Sequence, residues 1–357
     1  MTRFLTWCGA AALVLLPACG GDKPAPVAPA GNTPSSSSGD SATKPTVKKP
    51  PPPVRLDMEV VKALFGNFPS SPEVDNPQTP EKVALGRMLY HEEHLSKNGN
   101  LSCASCHDLA NYGQDGKKTS PGSDGKNGDR NTPTTLNAFR HFAQFWDYRA
   151  ATVEEQAVMP VLNPIEHGVA DEAELVAKIK EKPELVAAFG KAFGAGDVVT
   201  VANFKLAVGA FERTLVTTSR FDKFIDGDSR ALTKEEQAGL KTFIDVGCQT
   251  CHMSRLFGGA MPQKLGVFSA FPTEDKGRAK VTGNDAEAGL FKVPSLLNVE
   301  KTAPYHHDGS GESLAEVVKT MAKIQLNKDL TDDEVDSIVA FLKSLTGELP
   351  ADIAAPK

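Results

Sequence analysis

Two short stretches of the chain share one pattern of residues, which constrains the fold more than any other feature. Residues 101–107 read LSCASCH and residues 247–252 read GCQTCH, so each has two cysteines, two residues between them, and a histidine directly after. Such a pattern attaches c-type haem, because the two thiols form thioethers with the porphyrin and the next residue offers imidazole to the iron. The sequence therefore predicts two covalent haems, held by Cys103, Cys106 and His107 and by Cys248, Cys251 and His252.

Disulfides, a zinc site or a thioredoxin-like redox pair are the alternatives for these four cysteines. Disulfides would suit an exported protein. A site of four zinc-binding cysteines would not need the two histidines, and a redox pair is expected in a β-α-β pattern, which the sequence lacks. The two motifs use every cysteine beyond residue 19, which favours haem.

The first 55 residues carry export signals. Residues 1–18 contain Arg3, an apolar run and small residues before Cys19, which predicts a secretory signal. The ending LPAC resembles a lipoprotein box, so we expect Cys19 to become a lipid-anchored N-terminus, with ordinary signal cleavage as the alternative. Residues 19–55 are rich in proline and serine and are predicted to be a linker. Both routes lead out of the cytoplasm.

The length and net charge of the chain indicate how many domains it has and which kinds of partner it does not bind. The chain has 357 residues, 40% of them hydrophobic, which suits two ordinary globular domains. Its formal net charge is -6, and it becomes -7 when Arg3 leaves with the signal. This mild acidity argues against nucleic acid as a partner.

The chain around the haem motifs is predicted to be mainly α-helical. Thr79-Pro80 predicts a helix that runs to about Tyr90, and apolar residues at helical spacing predict another between Thr200 and Val216. Capping boxes at Thr152, Thr233, Ser313 and Thr331 precede further helix-compatible runs. We predict two cytochrome c-like domains, each enclosing one haem, at residues 56–218 and 219–347, followed by a tail at 348–357.

Over residues 56–347 the chain resembles the bacterial di-haem cytochrome c peroxidases and their MauG-type relatives. The resemblance rests on ALGRMLY, LSCASCH, RNTPTTLN, FWDYRA, EEQA, NPIEHG, GCQTCH, KVPSLLNV, TAPYHHDGS and IVAFLKSLTG, in the order of the family. It implies that the C-terminal haem receives electrons from a small cytochrome c or cupredoxin, and that the N-terminal haem reduces hydrogen peroxide to water. It also implies a periplasmic protein, membrane-anchored or soluble according to how the signal is cleaved, and allows a homodimer.

Methionine sulfur favours ferrous iron, so an electron-entry haem is expected to have one histidine and one methionine ligand. The resemblance selects Met321 as the ligand opposite His252, with Met261 as a substitute. Packing in a hydrophobic core is the alternative for either methionine.

Peroxide cleavage requires a group that moves a proton near the iron. Glu166 in NPIEHG and Gln156 in EEQA match the acid/base residue and its hydrogen-bonding partner in the family; without the resemblance, both would be read as exposed polar residues. Trp146, the only tryptophan beyond the signal, matches a residue between the haems, where it assists electron transfer or packs an interface.

Asn131, with the backbone carbonyls of Thr302 and Pro304, matches the calcium site of the family, whose remaining ligands would be water. His307 matches a histidine near the C-terminal haem, with a propionate or hydrogen-bonding contact. The other histidines are expected at the surface or in packing; these are His91, His94, His141, His167 and His306.

The chain departs from the resemblance in one loop. Many members of the family carry a histidine there that caps the N-terminal iron, but residues 119–131 contain none, and Ser123 occupies the matching position. Capping by this loop is therefore not expected, and His94 or His141, which lie outside the loop, are the alternative caps. A MauG-like oxidase acting on a protein partner and a non-catalytic electron carrier are the alternative functions. MauG has tyrosine where this chain has Met321, and Glu166 argues against a plain carrier.

Overall fold

Helices dominate the computed structural model, which describes residues 54–355. Among these residues the α-helices are α1 (Met58–Phe65), α2 (Pro80–His91), α3 (Cys103–Cys106), α4 (Val153–Leu162), α5 (Glu172–Lys180), α6 (Pro183–Phe193), α7 (Val201–Glu212), α8 (Arg220–Ile225), α9 (Lys234–Val246), α10 (Ala279–Thr282), α11 (Leu314–Leu326) and α12 (Asp332–Lys343). The mainly helical prediction is confirmed. The predicted signal, Cys19 and most of the linker lie outside the described residues.

The strands of the described chain are short and form two antiparallel pairs. β1 (Thr218–Ser219) pairs with β4 (Gly347–Glu348), and β2 (Pro262–Lys264) pairs with β3 (Leu290–Lys292). None of the described helices is long and apolar enough to cross a membrane.

Several helices begin where the sequence predicts. Thr79 caps α2 by accepting a hydrogen bond from the Lys82 amide at 3.3 Å. Thr233 and Thr331 form reciprocal capping boxes at the starts of α9 and α12. These side chains satisfy amide groups that have no partner within their own helix.

Two of the four predicted capping boxes are not formed. Thr152 caps α4, but the Glu155 carboxylate accepts from the Ala151 amide at 2.8 Å instead of the Thr152 amide. Ser313 precedes α11 without a side-chain capping hydrogen bond. The helix starts are correct in both cases: α4 begins directly after Thr152, whose side chain still accepts from the Glu155 amide, and α11 begins directly after Ser313.

Two helix pairs pack closely, each at a glycine. A Cβ atom at Gly86 of α2 would lie 2.0 Å from the Ala207 carbonyl oxygen of α7, and one at Gly239 of α9 would lie 1.9 Å from the Ser337 carbonyl oxygen of α12. Only a residue without a side chain permits these approaches. The predicted apolar residues of α7 are buried, as is Leu215 beyond its end.

The two ends of the described chain pack against distant parts of it. Val61 and Phe65 of α1 belong to a core formed mainly by residues of α8, α9 and α12. Leu349 and Ile353 pack against a smaller hydrophobic cluster that contains Tyr90, and Cys103 packs against the same cluster. The predicted domain limits, 56–218 and 219–347, stay a prediction.

Thr217 joins two similar turns. Its hydroxyl oxygen accepts hydrogen bonds from the side-chain amides of Asn137 at 2.9 Å and Asn298 at 3.0 Å. Both asparagines are buried in the left-handed conformation with φ of 61°, and each precedes a short 3-10 helix. One hydroxyl therefore serves two turns that lie far apart in the sequence.

Candidate active site

Both cysteine–histidine motifs line one cavity of about 680 Å³. The structure also brings every other predicted site residue to its wall: Trp146, Gln156, Glu166, Asn131, Thr302, Pro304, His307 and Met321. Residues that are as much as 218 positions apart in the chain therefore face a common space.

In the first motif, the cysteines occupy α3 and the histidine follows it. The His107 amide donates to the Cys103 carbonyl at 2.9 Å, and the ring Nδ1 lies 3.3 Å from the Gly113 carbonyl oxygen. A carbonyl only accepts, so Nδ1 carries the proton and Nε2 has its lone pair free for a metal. Burial lowers the pKa of His107, which keeps the ring neutral. Gly113 has φ of +75°, which favours glycine there.

The second motif has the same arrangement. Its cysteines flank a short 3-10 helix (Cys248–Thr250), and the His252 amide donates to the Cys248 carbonyl at 3.0 Å. The ring Nδ1 donates to the Phe257 carbonyl at 2.9 Å, so Nε2 is again the free nitrogen. Burial lowers the pKa of His252 as well.

The four cysteines of the described chain are free thiols, so neither pair is a disulfide. Burial raises the pKa of Cys103 and of Cys248 to about 12 each, which keeps these thiols protonated. Each motif thus offers two thiols and one neutral imidazole with a fixed tautomer. This donor set fits a haem attached covalently at each motif.

Met321 lies on α11 and lines the cavity beside Val317, Val318 and Leu326. It is the only methionine of the described residues that does so. Met261, the predicted substitute, does not line the cavity, and Met253 is 39% exposed. The structure thus keeps Met321 as a candidate ligand at the second motif.

Glu166 follows α4 in a tight turn that ends at Gly168. Its carboxylate accepts from the Asn163 side-chain amide at 2.7 Å. Burial raises the pKa of Glu166, while the Asn163 hydrogen bond and the charge of Arg149 oppose the shift. Burial raises the pKa of the Cys106 thiol most, and the charges of Asp115 and then Glu166 raise it further. The Glu166 carboxylate therefore lies towards the first motif. Gln156 lines the cavity from α4.

Trp146 is linked to two other predicted site residues. Its indole Nε1 donates to the Asn131 carbonyl at 2.9 Å, and the Asn131 amide donates to the His307 carbonyl at 2.8 Å. The rings of Trp146 and His307 meet edge to face at 6.4 Å. His307 is 2% exposed, and its Nε2 lies 3.0 Å from the Thr273 hydroxyl oxygen.

The predicted calcium ligands share the cavity wall but do not form a complete shell. The Asn131 side-chain amide donates to the Lys117 carbonyl at 2.9 Å, which leaves its own oxygen as the potential ligand. The described residues hold no group of three or more His, Cys, Asp or Glu side chains that could bind a metal ion. The calcium site, which relies on amide and carbonyl oxygens, stays a prediction.

Several buried residues line the cavity that the sequence did not single out. His141 and His167, expected at the surface or in packing, are each 6% exposed and face the cavity with His306, whereas His91 and His94 do not line it. Glu212 and Lys292 line it too; burial raises the pKa of Glu212 to about 8 and lowers that of Lys292 to about 7. No sequence pattern identifies them, because their burial depends on distant neighbours.

Ser123 is held away from the cavity wall. Its hydroxyl donates to the Asn100 side-chain oxygen at 2.8 Å and accepts from the Asn98 amide at 3.2 Å. Its own amide donates to the Glu166 carbonyl at 2.8 Å. Pro121 and Gly122, by contrast, line the cavity.

Comparison with known proteins identifies the family of the chain. Residues 80–230 match the sequence model of the family described as di-haem cytochrome c peroxidase. The chain is 43% identical to cytochrome c551 peroxidase of Nitrosomonas europaea over 292 residues, which cover 80% of this chain and 86% of that protein. The chain belongs to the di-haem cytochrome c peroxidase family. It is therefore an oxidoreductase of the peroxidase type, and the family implies two c-type haems.

Two further similarities connect this peroxidase-family chain to MauG proteins. It is 33% identical to the methylamine utilization protein MauG of Methylophilus methylotrophus, over 77% of this chain and 85% of that protein. A solved structure of a MauG-like protein associated with microbial copper homeostasis superimposes with a TM-score of 0.71 at 31% identity, over 81% of this chain and 95% of that one. The family resemblance expected from the motifs is confirmed.

Proposed function

We propose that the protein reduces hydrogen peroxide to water with electrons from a small redox protein, a cytochrome c or a cupredoxin. One observation carries the proposal: a single cavity joins two haem-attachment motifs to Glu166, Gln156 and Met321. The first motif, with Glu166 on its side, is the proposed peroxide site. The second motif, with Met321, is the proposed entry point for electrons.

The haems, when bound through the two motifs, would supply electron storage and the iron at which peroxide binds. The task left to Glu166 is to move a proton from the near oxygen of peroxide to the far one, which leaves as water. Two protons and two electrons convert one peroxide molecule into two water molecules. The Asn163 hydrogen bond fixes the carboxylate, and Gln156 offers an amide for orienting the peroxide.

Met321 and Trp146 support the proposed direction of electron flow. A thioether ligand stabilises ferrous iron, so a haem between His252 and Met321 would accept electrons readily. Trp146 lies on the wall of the same cavity and is held by its bond to Asn131. Its ring offers a polarisable group for electron transfer between the two motifs.

The remaining parts of the proposal concern assembly and location. We assign residues 56–218 and 219–347 to two haem-binding domains, and Asn131, Thr302 and Pro304 to a calcium ion between them. The leader at residues 1–18 is proposed to export the protein to the periplasm, with Cys19 as a lipid anchor. A homodimer is compatible with the proposal.

The test is steady-state peroxide reduction with a reduced small cytochrome c as donor, using enzyme that a pyridine haemochrome assay shows to hold two haems. The assay is run with the diferric and the half-reduced protein. We expect turnover with hydrogen peroxide and donor oxidation in a 1:2 ratio. A two-haem protein that oxidises no donor, or that instead oxidises aromatic residues of a protein partner, would refute the peroxidase proposal in favour of the carrier or the MauG-like oxidase.

A further inference from the structure

Among the described residues, four cationic side chains line the cavity, and three of them have a carboxylate partner. Arg130 pairs with Asp147 and Asp275, Arg149 pairs with Asp147, and Lys280 lies 3.0 Å from Asp129; the cavity's fourth cation is Lys292. Within residues 54–355 no carboxylate lies within ion-pair distance of Lys292. Its lack of a partner is unusual because it is also the most buried of the four, at 7% exposure.

The Lys292 ammonium group makes two hydrogen bonds, both to neutral groups. Nζ donates to the Ala143 carbonyl at 2.9 Å and lies 3.1 Å from Nδ1 of His141. An ammonium group has three N–H donors, so one remains for a group in the cavity. Nε2 of His141 is also buried without a hydrogen-bond partner. Together the two side chains form a buried basic pair without an anion.

Burying an ammonium group without an anion costs free energy. The pKa of Lys292 accordingly falls to about 7 through burial, and the charge of Asp147 opposes the shift only in part. An anion bound in the cavity would restore the charged form. Haem carries two carboxylate side chains, so a cavity that holds haem receives anions of the required kind.

The position of Lys292 indicates which of the two haem-attachment motifs it adjoins. Lys292 ends β3, and the next residue, Val293, accepts a hydrogen bond from the Gly259 amide at 2.8 Å. Gly259 lies two residues after Phe257, whose carbonyl orients the His252 ring. The His141 ring lies against Gly259, where an added Cβ would be 2.7 Å from its Cδ2. The basic pair therefore adjoins the segment that holds the second motif.

We propose that the ammonium group of Lys292 binds a carboxylate side chain of the haem attached through Cys248 and Cys251. The contact would satisfy the third donor of the ammonium group and neutralise the haem carboxylate inside the protein. It would also place a fixed positive charge close to the second iron. The inference rests on haem attachment at the second motif and does not depend on the peroxide chemistry.

The test is an equilibrium redox titration of the two-haem protein carrying Lys292→Met. A positive charge near the iron favours the ferrous form, so its loss should lower the ferrous-to-ferric ratio of the second haem about tenfold at a given potential, which corresponds to ~59 mV. The propionate bending bands in the resonance Raman spectrum of that haem should shift as well. Lys292→Arg, which keeps a charged donor, should retain most of the original potential.

Lys280→Met is the matched control, because Lys280 lines the same cavity but already has Asp129 as its partner. It should leave the potential and the propionate bands of the second haem unchanged. If Lys292→Met leaves both readings unchanged, or changes those of the first haem alone, the proposal is wrong. Should Lys292→Met not yield holoprotein, Lys292→Gln supplies the same two readings. Haem content, measured first, separates failure of this contact from failure of haem attachment.

Discussion

At Glu166, opposing effects set the protonation state of the carboxyl group. Burial raises its pKa, and the hydrogen bond from Asn163 and the charge of Arg149 only partly offset this. The carboxylate form is the one that accepts a proton from peroxide, and it is lost as the pH falls through the raised pKa. In a pH-rate profile we therefore expect kcat/KM for peroxide to decrease as the pH is lowered. The midpoint of this decrease should lie above the usual pKa range of carboxyl groups.

Replacing this carboxylate tests its role directly. Glu166→Gln should slow peroxide reduction by roughly a hundredfold or more, the usual contribution of a positioned acid/base, and should remove the acid limb of the profile. Both haem spectra should stay nearly unchanged. Glu172→Gln, at an exposed position of α5, is the control and should behave as the wild type. Unaltered turnover in Glu166→Gln would remove this residue from the mechanism.

Met321 offers a second prediction for a single residue. In Met321→His, imidazole replaces a sulfur that favours ferrous iron, so the potential of the second haem should fall by on the order of 100 mV. The measurement is a redox titration followed in the visible spectrum. Met261→His is the matched control, since Met261 does not line the cavity. A shift in the control but not in Met321→His would reassign the ligand.

Among the structural elements, the loop at residues 119–131 bears on how the first haem is regulated. Ser123 is anchored to Asn98 and Asn100, and a Cβ atom on Gly122 would lie 1.6 Å from the Ile165 carbonyl oxygen. The loop thus packs tightly against the turn that carries Glu166. It contains no imidazole that could cap the iron.

We therefore expect the diferric protein to show one high-spin ferric signal in electron paramagnetic resonance, and to react with peroxide without prior reduction. In Ser123→His the larger ring cannot occupy the buried site of the serine, and the adjacent Gly122 lines the cavity. This variant should gain a second low-spin signal and require reduction for activity, whereas Ser123→Ala should not. Two low-spin signals in the wild type would show that another side chain that lines the cavity, such as His167, caps the iron.

How much the sequence predicts differs from element to element. The haem motifs, the start of α2 and the buried face of α7 were predicted because their signals are local: fixed spacing, a cap followed by proline, and apolar periodicity. The capping box at Ser313 is absent although its residues suit one. The burial of Lys292 and the positions of His141 and His167 on the cavity wall could not be predicted, because they arise from segments that meet only in the folded chain.

At the scale of the whole molecule, Thr217 connects turns from both halves of the chain. Thr217→Val keeps the shape of the side chain but leaves the buried amides of Asn137 and Asn298 without an acceptor. Each of these two buried donors without a partner costs about 1–3 kcal/mol, so the free energy of unfolding should fall by roughly 2–6 kcal/mol. Thr218→Val, at the exposed neighbouring position, should change it little. Denaturant titration of the two-haem protein measures both.

The packing of the chain ends predicts how the protein would behave if it were produced as two separate fragments. A division after Ser219 would give one fragment carrying Val61 and Phe65, whose neighbours lie mainly in the other fragment. The second fragment would carry Leu349 and Ile353, whose neighbours lie in the first. Each piece would expose apolar side chains that fit the other. Neither fragment should therefore fold stably alone. When the two are co-expressed, they should associate and reconstitute the enzyme without a covalent linker.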